Sequence, residues 1–337
     1  MSEYSKKAKD TLDLLRANPE WIGRYKKYAD EISCNIAMLK ERKTSFHRWN
    51  PLYVYLTTSE MQSGGSISFS LRYKGQIVGN LAVKDEIICC PAYENNKKNF
   101  GYTPSFQGKF PWNSENAREF RKFFSENRPT RINCGKKNDE HRYESMLLTY
   151  FEDRCKEIEA FKHIRPVGVI SGVRFPMPTP IAASKKDDLK YSGKGGGIDI
   201  FTRTGHGKAT YLNIMELKDE NHRGEEPSVV IKQAIAYATF ILRLLRSESG
   251  ASWYKLFGFS SALPDSIKVY ATCLMPKGYC EDKSFANQQI FVHKTEDKVS
   301  DTFADNSDII ELHYMYFDEN EDVISNVETS LNKNSVC

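Results

Sequence analysis

The sequence of 337 residues lacks several patterns that would assign it to a class directly. No stretch approaches the roughly 18 consecutive apolar residues of a membrane-spanning helix. The first residues, Met-Ser-Glu-Tyr-Ser-Lys-Lys, contain no apolar run of the kind found in secretory signals. Eight cysteines are present without any C-x-x-C pair, so neither a zinc site nor a disulfide framework is predicted. We therefore expect a cytoplasmic protein with reduced cysteines and no membrane partner.

Other familiar catalytic patterns are also missing. The seven histidines form no H-x-H or H-E-x-x-H motif, which disfavours zinc hydrolysis. No serine or cysteine lies in a recognisable nucleophile elbow. The segment Gly205-His-Gly-Lys-Ala-Thr contains a Gly-Lys step, but the spacing of a phosphate-binding loop fails and a strand follows instead of a helix. Internal repeats and low-complexity tracts are likewise absent from the sequence.

The length of 337 residues predicts two domains, or one large domain with an elaboration, and the 40% hydrophobic content is enough for folded cores. We place an N-terminal domain of helices and antiparallel strands at residues 1–130, a second domain at residues 131–318 and an acidic C-terminal tail at residues 319–337. The net charge of +4 is unevenly distributed, because residues 1–130 contain 21 Lys and Arg against 14 Asp and Glu. The first third of the chain is therefore where phosphate contacts are expected.

The first 130 residues alternate between helical and strand patterns. Residues 5–43 predict two helices separated near Pro19, and an antiparallel meander of four short strands follows between residues 52 and 91. Residues 91–113 have a loop-like composition in which aromatic residues alternate with lysines. These aromatic rings suit either the stacking of nucleic-acid bases or the anchoring of a loop to the core, and both interpretations stay open. A helix is predicted from about residue 114 to 127.

The second half reads as a helix, strands, a helix and strands. The first helix is predicted from residue 139 to about 161, with Glu144 at the edge of its apolar face. A β-hairpin with a turn at Gly205 and Gly207 is followed by a helix from Pro227 to about residue 246. Further strands are predicted at residues 267–275 and 311–317. The expected class is therefore α/β (α+β).

Acidic residues occupy unusual positions in this hairpin. Asp199 lies between two isoleucines after three glycines, and Glu216 and Lys218 share one face of the second strand because side chains alternate. If the hairpin closes so that Asp199 lies beside Glu216, the two carboxylates require a cation between them. Oxygen ligands of this kind suit Mg²⁺ or Mn²⁺. The alternative is that each acid marks a strand end that reaches water.

The order of these elements and residues resembles the PD-(D/E)XK nuclease superfamily. The resemblance rests on Glu144 in a helix, Asp199 and Glu216-Leu-Lys218 in successive strands, and Gln233-Ala-Ile-Ala-Tyr237 in the next helix. The last segment is similar to the Q-x-x-x-Y signature of RecB-like nucleases. The resemblance covers about residues 138–318. It departs from the family pattern in that Ile198, and not proline, precedes Asp199.

The resemblance implies a restriction-endonuclease-like core, in which a mixed β-sheet is flanked by helices and acids hold one or two divalent ions. Asp199, Glu216 and the Leu217 carbonyl would bind Mg²⁺, which Mn²⁺ could replace, and Glu144 would bind a second ion or its water. Lys218 would orient the attacking water and help to deprotonate it.

Three residues of the helix that follows the hairpin complete the implied site. Gln233 would steady the centre, and Tyr237 could contact phosphate. Lys232 either follows the phosphate backbone or is simply exposed.

Two classes of function follow from these observations. The first is a metal-dependent endodeoxyribonuclease of restriction, repair or phage-defence type, with DNA as the partner and RNA as a lesser candidate. The second is a non-catalytic nucleic-acid-binding protein that keeps the nuclease scaffold. The presence of Asp199, Glu216 and Lys218 together favours the enzyme. Whether the chain forms a homodimer is left open by the sequence.

Overall fold

The computed structural model describes residues 1–41, 50–57, 68–83, 85–129, 139–153, 163–170, 172–184, 188–218, 225–278, 281–294, 298–320 and 323–331. The chain forms two compact units. Unit 1 comprises Met1–Ala29, Met146–Val167 and Pro176–Cys337, and unit 2 comprises Asp30–Ser145 and Gly168–Phe175. This division differs from the predicted boundary near residue 130, because the N-terminal helix packs within unit 1.

The described residues contain seven α-helices. These are α1 Glu3–Ala17, α2 Trp21–Glu41, α3 Tyr93–Phe100, α4 Glu115–Asn127, α5 Asp139–Asp153, α6 Pro227–Leu245 and α7 Gly250–Leu256. The predicted extension of α5 to Phe161, including Ile158, lies outside the described residues.

The strands form three sheets, two of which are large. The strands are β1 Leu52–Thr57, β2 Ser68–Tyr73, β3 Gln76–Val83, β4 Ile87–Pro91, β5 Phe110–Pro111, β6 Ile164–Pro166, β7 Val173–Arg174, β8 Pro178–Ser184, β9 Asp188–Gly197, β10 Ile200–His206, β11 Ala209–Leu217, β12 Lys268–Pro276, β13 Gln289–His293, β14 Val299–Ser300, β15 Ser307–Asn320 and β16 Val323–Thr329. The expected α+β class is confirmed.

Unit 2 contains a six-stranded sheet in the order β5-β4-β3-β2-β1-β7. Strands β1 to β4 form the predicted antiparallel meander. The stretch predicted as a loop at residues 91–113 instead begins with helix α3, which ends at Gly101 in the left-handed conformation that glycine favours. The rings that follow are buried, which confirms the interpretation that they anchor this segment to a core; they are Phe100, Tyr102, Phe106, Phe110 and Trp112.

Unit 1 contains an eight-stranded mixed sheet in the order β14-β13-β15-β12-β11-β10-β6, with β16 paired to β15. Strands β11, β12 and β15 are parallel, and β10 runs antiparallel to β11. Helix α6 supplies the connection between β11 and β12 and packs against both strands. Parallel neighbours need such a crossover, and the helix buries its apolar side chains on one face of the sheet.

Helix α6 is the most apolar element among the described residues. Its mean hydropathy and length would allow it to cross a membrane, but 78% of its most apolar window is buried inside the fold. Pro227 opens the helix, where a missing backbone N–H has no cost. The helix is therefore the central core element of unit 1.

The prediction of a C-terminal tail at residues 319–337 is wrong for most of the residues that the structure describes there. Residues 323–329 form strand β16, which pairs antiparallel with β15. The acidic composition suggested a loose segment, but Ile324 and Leu331 are buried. Backbone pairing with β15 and these two apolar contacts outweigh the unfavourable composition.

The turn of the β10–β11 hairpin generates a test of the local fold. Gly205 has φ +116°, and a Cβ there would lie 1.9 Å from the Ala209 carbonyl oxygen, whereas Gly207 has φ +57° and open space around it. We expect Gly205→Ala to lower the free energy of unfolding by at least about 2 kcal/mol and Gly207→Ala by about 1 kcal/mol. Urea denaturation followed by circular dichroism measures both, and equal losses would contradict the assigned turn.

Candidate active site at the end of the β10–β11 hairpin

The pairing of β10 with β11 brings two predicted acids together. Ile200 pairs with Met215 on these antiparallel strands; Asp199 directly precedes Ile200, and Glu216 directly follows Met215. Asp199 Oδ2 accepts a hydrogen bond of 2.9 Å from the Leu217 backbone N–H. Asp199 is half-buried, and Glu216 is only 4% exposed. The hairpin therefore holds both carboxylates at one end of the sheet, as the sequence predicted.

Lys218 places its ammonium on this acidic group. Its Nζ donates to Glu216 Oε1 at 2.7 Å and to the Leu217 carbonyl oxygen at 3.0 Å, and the residue is 7% exposed. Its backbone N–H donates to the Leu274 carbonyl on β12. The pairing with β12 thus fixes the main chain at Lys218, and the Lys218 side chain turns back toward Glu216 and Leu217.

The positions of these oxygen atoms indicate whether the residues could hold a divalent cation. The Glu216 carboxylate and the Leu217 carbonyl converge on one positive atom, and the Asp199 carboxylate is bonded to the same peptide segment. All three donors are oxygens, the type that Mg²⁺ prefers. Across the described residues, no group of three or more His, Cys, Asp or Glu side chains forms a cation site. Two carboxylates and one carbonyl nevertheless suit an ion that takes its remaining ligands from water and phosphate.

The sheet neighbour of Glu216 contributes no ligand of its own. Cys273 on β12 pairs with Glu216 in register and is fully buried. Burial raises the pKa of the Cys273 thiol, and the Glu216 charge raises it further. Because the thiolate is the form that binds metals, Cys273 stays a neutral packing residue and the site remains oxygen-based.

Helix α6 carries two further predicted residues, Gln233 and Tyr237. Gln233 is buried, with 4% of its surface exposed. Burial raises the pKa of Tyr237, and the Glu216 charge adds to this effect, so the phenol lies near the acidic group and stays protonated. The Tyr237 hydroxyl accepts a hydrogen bond from the Ala183 N–H on β8. Its described contact is therefore with the protein, and the predicted phosphate contact stays a prediction.

Lys232 lies on the same helix but points to a different partner. Its Nζ forms an ion pair of 2.8 Å with Glu3 of α1, and the Lys232 side chain is 15% exposed. The ion pair supports the packing of α1 on α6 within unit 1. Contact of Lys232 with phosphate would require the exchange of this carboxylate for a phosphate oxygen.

Glu144 belongs to unit 2, whereas the other predicted site residues belong to unit 1. Its carboxylate is buried, with His141 Nδ1 at 3.3 Å and Arg72 Nη1 at 3.8 Å. The hydrogen bond to Glu144 raises the pKa of His141. Within its unit Glu144 is therefore paired with the Arg72 guanidinium and hydrogen-bonded to His141, and its role as a metal ligand stays a prediction.

One buried acid was not selected as a site residue by the sequence analysis. Glu225 precedes the first turn of α6, and both of its carboxylate oxygens are shielded from solvent. Glu225 stands two residues before Pro227, where an acidic residue is common at the start of a helix. The burial of the Glu225 carboxylate follows from the fold and could not be read from the sequence.

Comparisons of the chain with protein-family models, curated proteins and solved structures found no match. The resemblance to PD-(D/E)XK nucleases therefore rests on the residues named above.

The buried ion pair can be tested through stability. Replacement of Lys218 by methionine keeps an unbranched apolar stem but removes the ammonium from the buried Glu216 carboxylate. We expect this variant to lose about 3 kcal/mol of unfolding free energy in urea denaturation, because a buried charge is left without its main compensation.

Lys9→Met is the matched control, since it removes an exposed ion pair with Asp13 at 2.8 Å. That substitution should cost less than about 1 kcal/mol. Equal losses in the two variants would mean that the Lys218 ammonium does not stabilise the site.

Proposed function

We propose that the protein is a metal-dependent nuclease that hydrolyses phosphodiester bonds. The observation that carries this proposal is the convergence of the Glu216 carboxylate and the Leu217 carbonyl on one cation position, beside Asp199. Phosphodiester hydrolysis needs a hydroxide near neutral pH and positive charge around the transferring oxygens. The converging oxygen atoms and the buried lysine together supply the groups for both requirements.

The residues divide the chemistry between them. Asp199, Glu216 and the Leu217 carbonyl would hold Mg²⁺ or Mn²⁺, and the bound ion supplies Lewis acidity and a more acidic water. Lys218 orients the attacking water and stabilises negative charge on the phosphoryl oxygens. Buried Gln233 and Tyr237 fix the protein around the centre.

The proposed substrate is DNA, cleaved internally in the manner of restriction, repair or phage-defence endonucleases. The excess of 21 basic over 14 acidic residues in the first 130 residues supports contacts with the phosphate backbone. A cytoplasmic location suits this substrate. The alternative function is nucleic-acid binding without cleavage. It is favoured by the Lys218 ammonium, which already compensates the Glu216 carboxylate in the absence of a metal.

Cleavage of plasmid DNA tests the enzyme against the binding protein. We expect nicking with Mg²⁺ or Mn²⁺, and a loss of at least about 100-fold in Asp199→Asn and in Lys218→Met, because the ligand and the water-orienting cation act in the chemical step. Asp305→Asn and Lys255→Ala are matched controls at exposed positions and should cleave as the parent does. Circular dichroism verifies that each variant is folded.

Two results would contradict the enzyme. If Asp199→Asn and Lys218→Met both still cleave DNA, the cleavage must come from other residues. DNA binding without cleavage under any divalent ion would support the binding protein. A parallel digestion of RNA of the same sequence decides between the two nucleic acids.

Measurements of metal binding distinguish the role of the proposed ligands from the role of Lys218. We expect Asp199→Asn and Glu216→Gln to weaken Mn²⁺ binding at least about tenfold in electron paramagnetic resonance titrations. Lys218→Met should bind Mn²⁺ at least as tightly as the parent while it cleaves no DNA, because the variant removes a competing positive charge from the same oxygens. Weaker Mn²⁺ binding in Lys218→Met would show that the ammonium and the ion do not share this position.

A further inference from the structure

A second cluster of reactive side chains lies in unit 1 on strands β15 and β16. Glu311 and His313 alternate on β15 and so share one face of the sheet. Ser330 directly follows β16, and its Oγ lies 2.9 Å from His313 Nδ1. His313 Nε2 lies 3.1 Å from Glu311 Oε1. The three side chains therefore form a continuous hydrogen-bonded line of hydroxyl, imidazole and carboxylate.

The carboxylate of this line is held firmly in place. Lys268 Nζ lies 2.6 Å from Glu311 Oε2, and the Gln289 amide donates to the same oxygen at 2.7 Å. Burial raises the pKa of Glu311, but hydrogen bonds from His313, Lys268 and Gln289 outweigh burial and lower it to about 2. Glu311 is therefore ionised near neutral pH and fixes the ring of His313.

The hydrogen bonds around Ser330 indicate which neighbouring atom its hydroxyl group donates to. The Tyr314 backbone N–H donates to Ser330 Oγ at 3.2 Å, so the oxygen acts there as an acceptor. The hydroxyl proton is then available to His313 Nδ1, and the imidazole N–H on Nε2 is directed to Glu311. This tautomer is the one that a general base next to a nucleophile requires.

All three residues line a cavity of about 370 Å³. Its walls also include the aromatic rings of Tyr211 and Tyr270. This volume falls in the range of small-molecule sites. Because Glu311 and Lys268 compensate each other, the cavity suits a neutral substrate with a small acyl or aryl group.

We propose that Ser330, His313 and Glu311 form a second catalytic centre, which hydrolyses small neutral carboxylic esters. The Ser330 oxygen forms a bond to the ester carbonyl carbon while its proton passes to His313. The ester C–O bond then breaks, and the leaving alkoxide takes that proton. A water molecule, deprotonated by His313, next attacks the acyl-serine and releases the carboxylic acid and the free serine. Glu311 is the positioning residue. This activity is independent of the proposed nuclease.

The carbonyl oxygen also needs a hydrogen-bond donor as negative charge develops on it. Among the described side chains that line the cavity, Lys268 and Gln289 are both held on Glu311. The amide of exposed Asn287 lines the same cavity, and we assign it this role. Asn287→Ala should then lower kcat more than it raises KM.

The direct experiment uses the full chain and two probes. The first is p-nitrophenyl butyrate, whose hydrolysis is followed by absorbance. The second is a fluorophosphonate. An activated serine attacks its phosphorus atom, fluoride leaves, and a phosphonyl group stays bound to the serine. Mass spectrometry identifies the residue that carries this group. We expect ester hydrolysis to fall at least about 100-fold in Ser330→Ala and in His313→Ala. The phosphonyl group should be found on Ser330 of the parent protein.

Further variants separate catalysis from packing. Ser284→Ala removes an exposed hydroxyl outside the cavity and should hydrolyse the ester as the parent does. Glu311→Gln should lower kcat at an unchanged KM, which a purely structural role would not produce. Labelling of the unmutated protein does not depend on the folding of any variant. Equal ester hydrolysis by Ser330→Ala and the parent, or a phosphonyl group on any residue except Ser330, would overturn the proposal.

Discussion

The geometry of the candidate site depends on a buried ion pair between two residues of one strand end. Lys218 and Glu216 stand two positions apart, so they share a face, and both are nearly excluded from water. Loss of one partner from such a pair is costly, because the other charge stays in a medium of low polarity. The pair therefore keeps the end of β11 ordered and determines where positive charge can be placed beside Glu216 and Leu217.

The same sheet carries two chemical groups on opposite faces. Glu216 and Cys273 form one row across β11 and β12, whereas Met215, Thr272 and His313 form the adjacent row. Successive residues of a strand point to opposite faces, so the acids of the hairpin and the His313 cluster are separated by the sheet itself. We therefore expect a substitution in one group to leave the hydrogen bonds of the other in place. This separation is what allows the two proposed activities to be tested independently.

Local patterns allowed much of this arrangement to be predicted, and non-local pairing explains what was missed. The β10–β11 hairpin closes over a short glycine turn, so local patterns predicted the hairpin and the shared face of Glu216 and Lys218, while the approach of Asp199 to Glu216 was conditional on how the hairpin closes. The ion pair of Lys232 with Glu3 joins residues far apart in the chain, and no local pattern contains it. Ser330 meets His313 only because β16 pairs with β15, and this pairing contains a register shift between Tyr316 and Asp318. A β-bulge of this kind prevents the partner of a residue from being counted along the sequence.

The formal charges of the hairpin site bear on why it would attract a further cation. Asp199 and Glu216 contribute two negative charges and Lys218 one positive charge, which leaves one negative charge at the end of the sheet. A divalent ion would change this balance to one positive charge, and a phosphodiester group, with its single negative charge, would then bring the whole assembly to neutrality. Buried charges are tolerated when they are compensated in this way. The lysine alone leaves one negative charge on the acids, and in the proposed nuclease a divalent ion beside the lysine would give the site the positive charge that a phosphate anion needs.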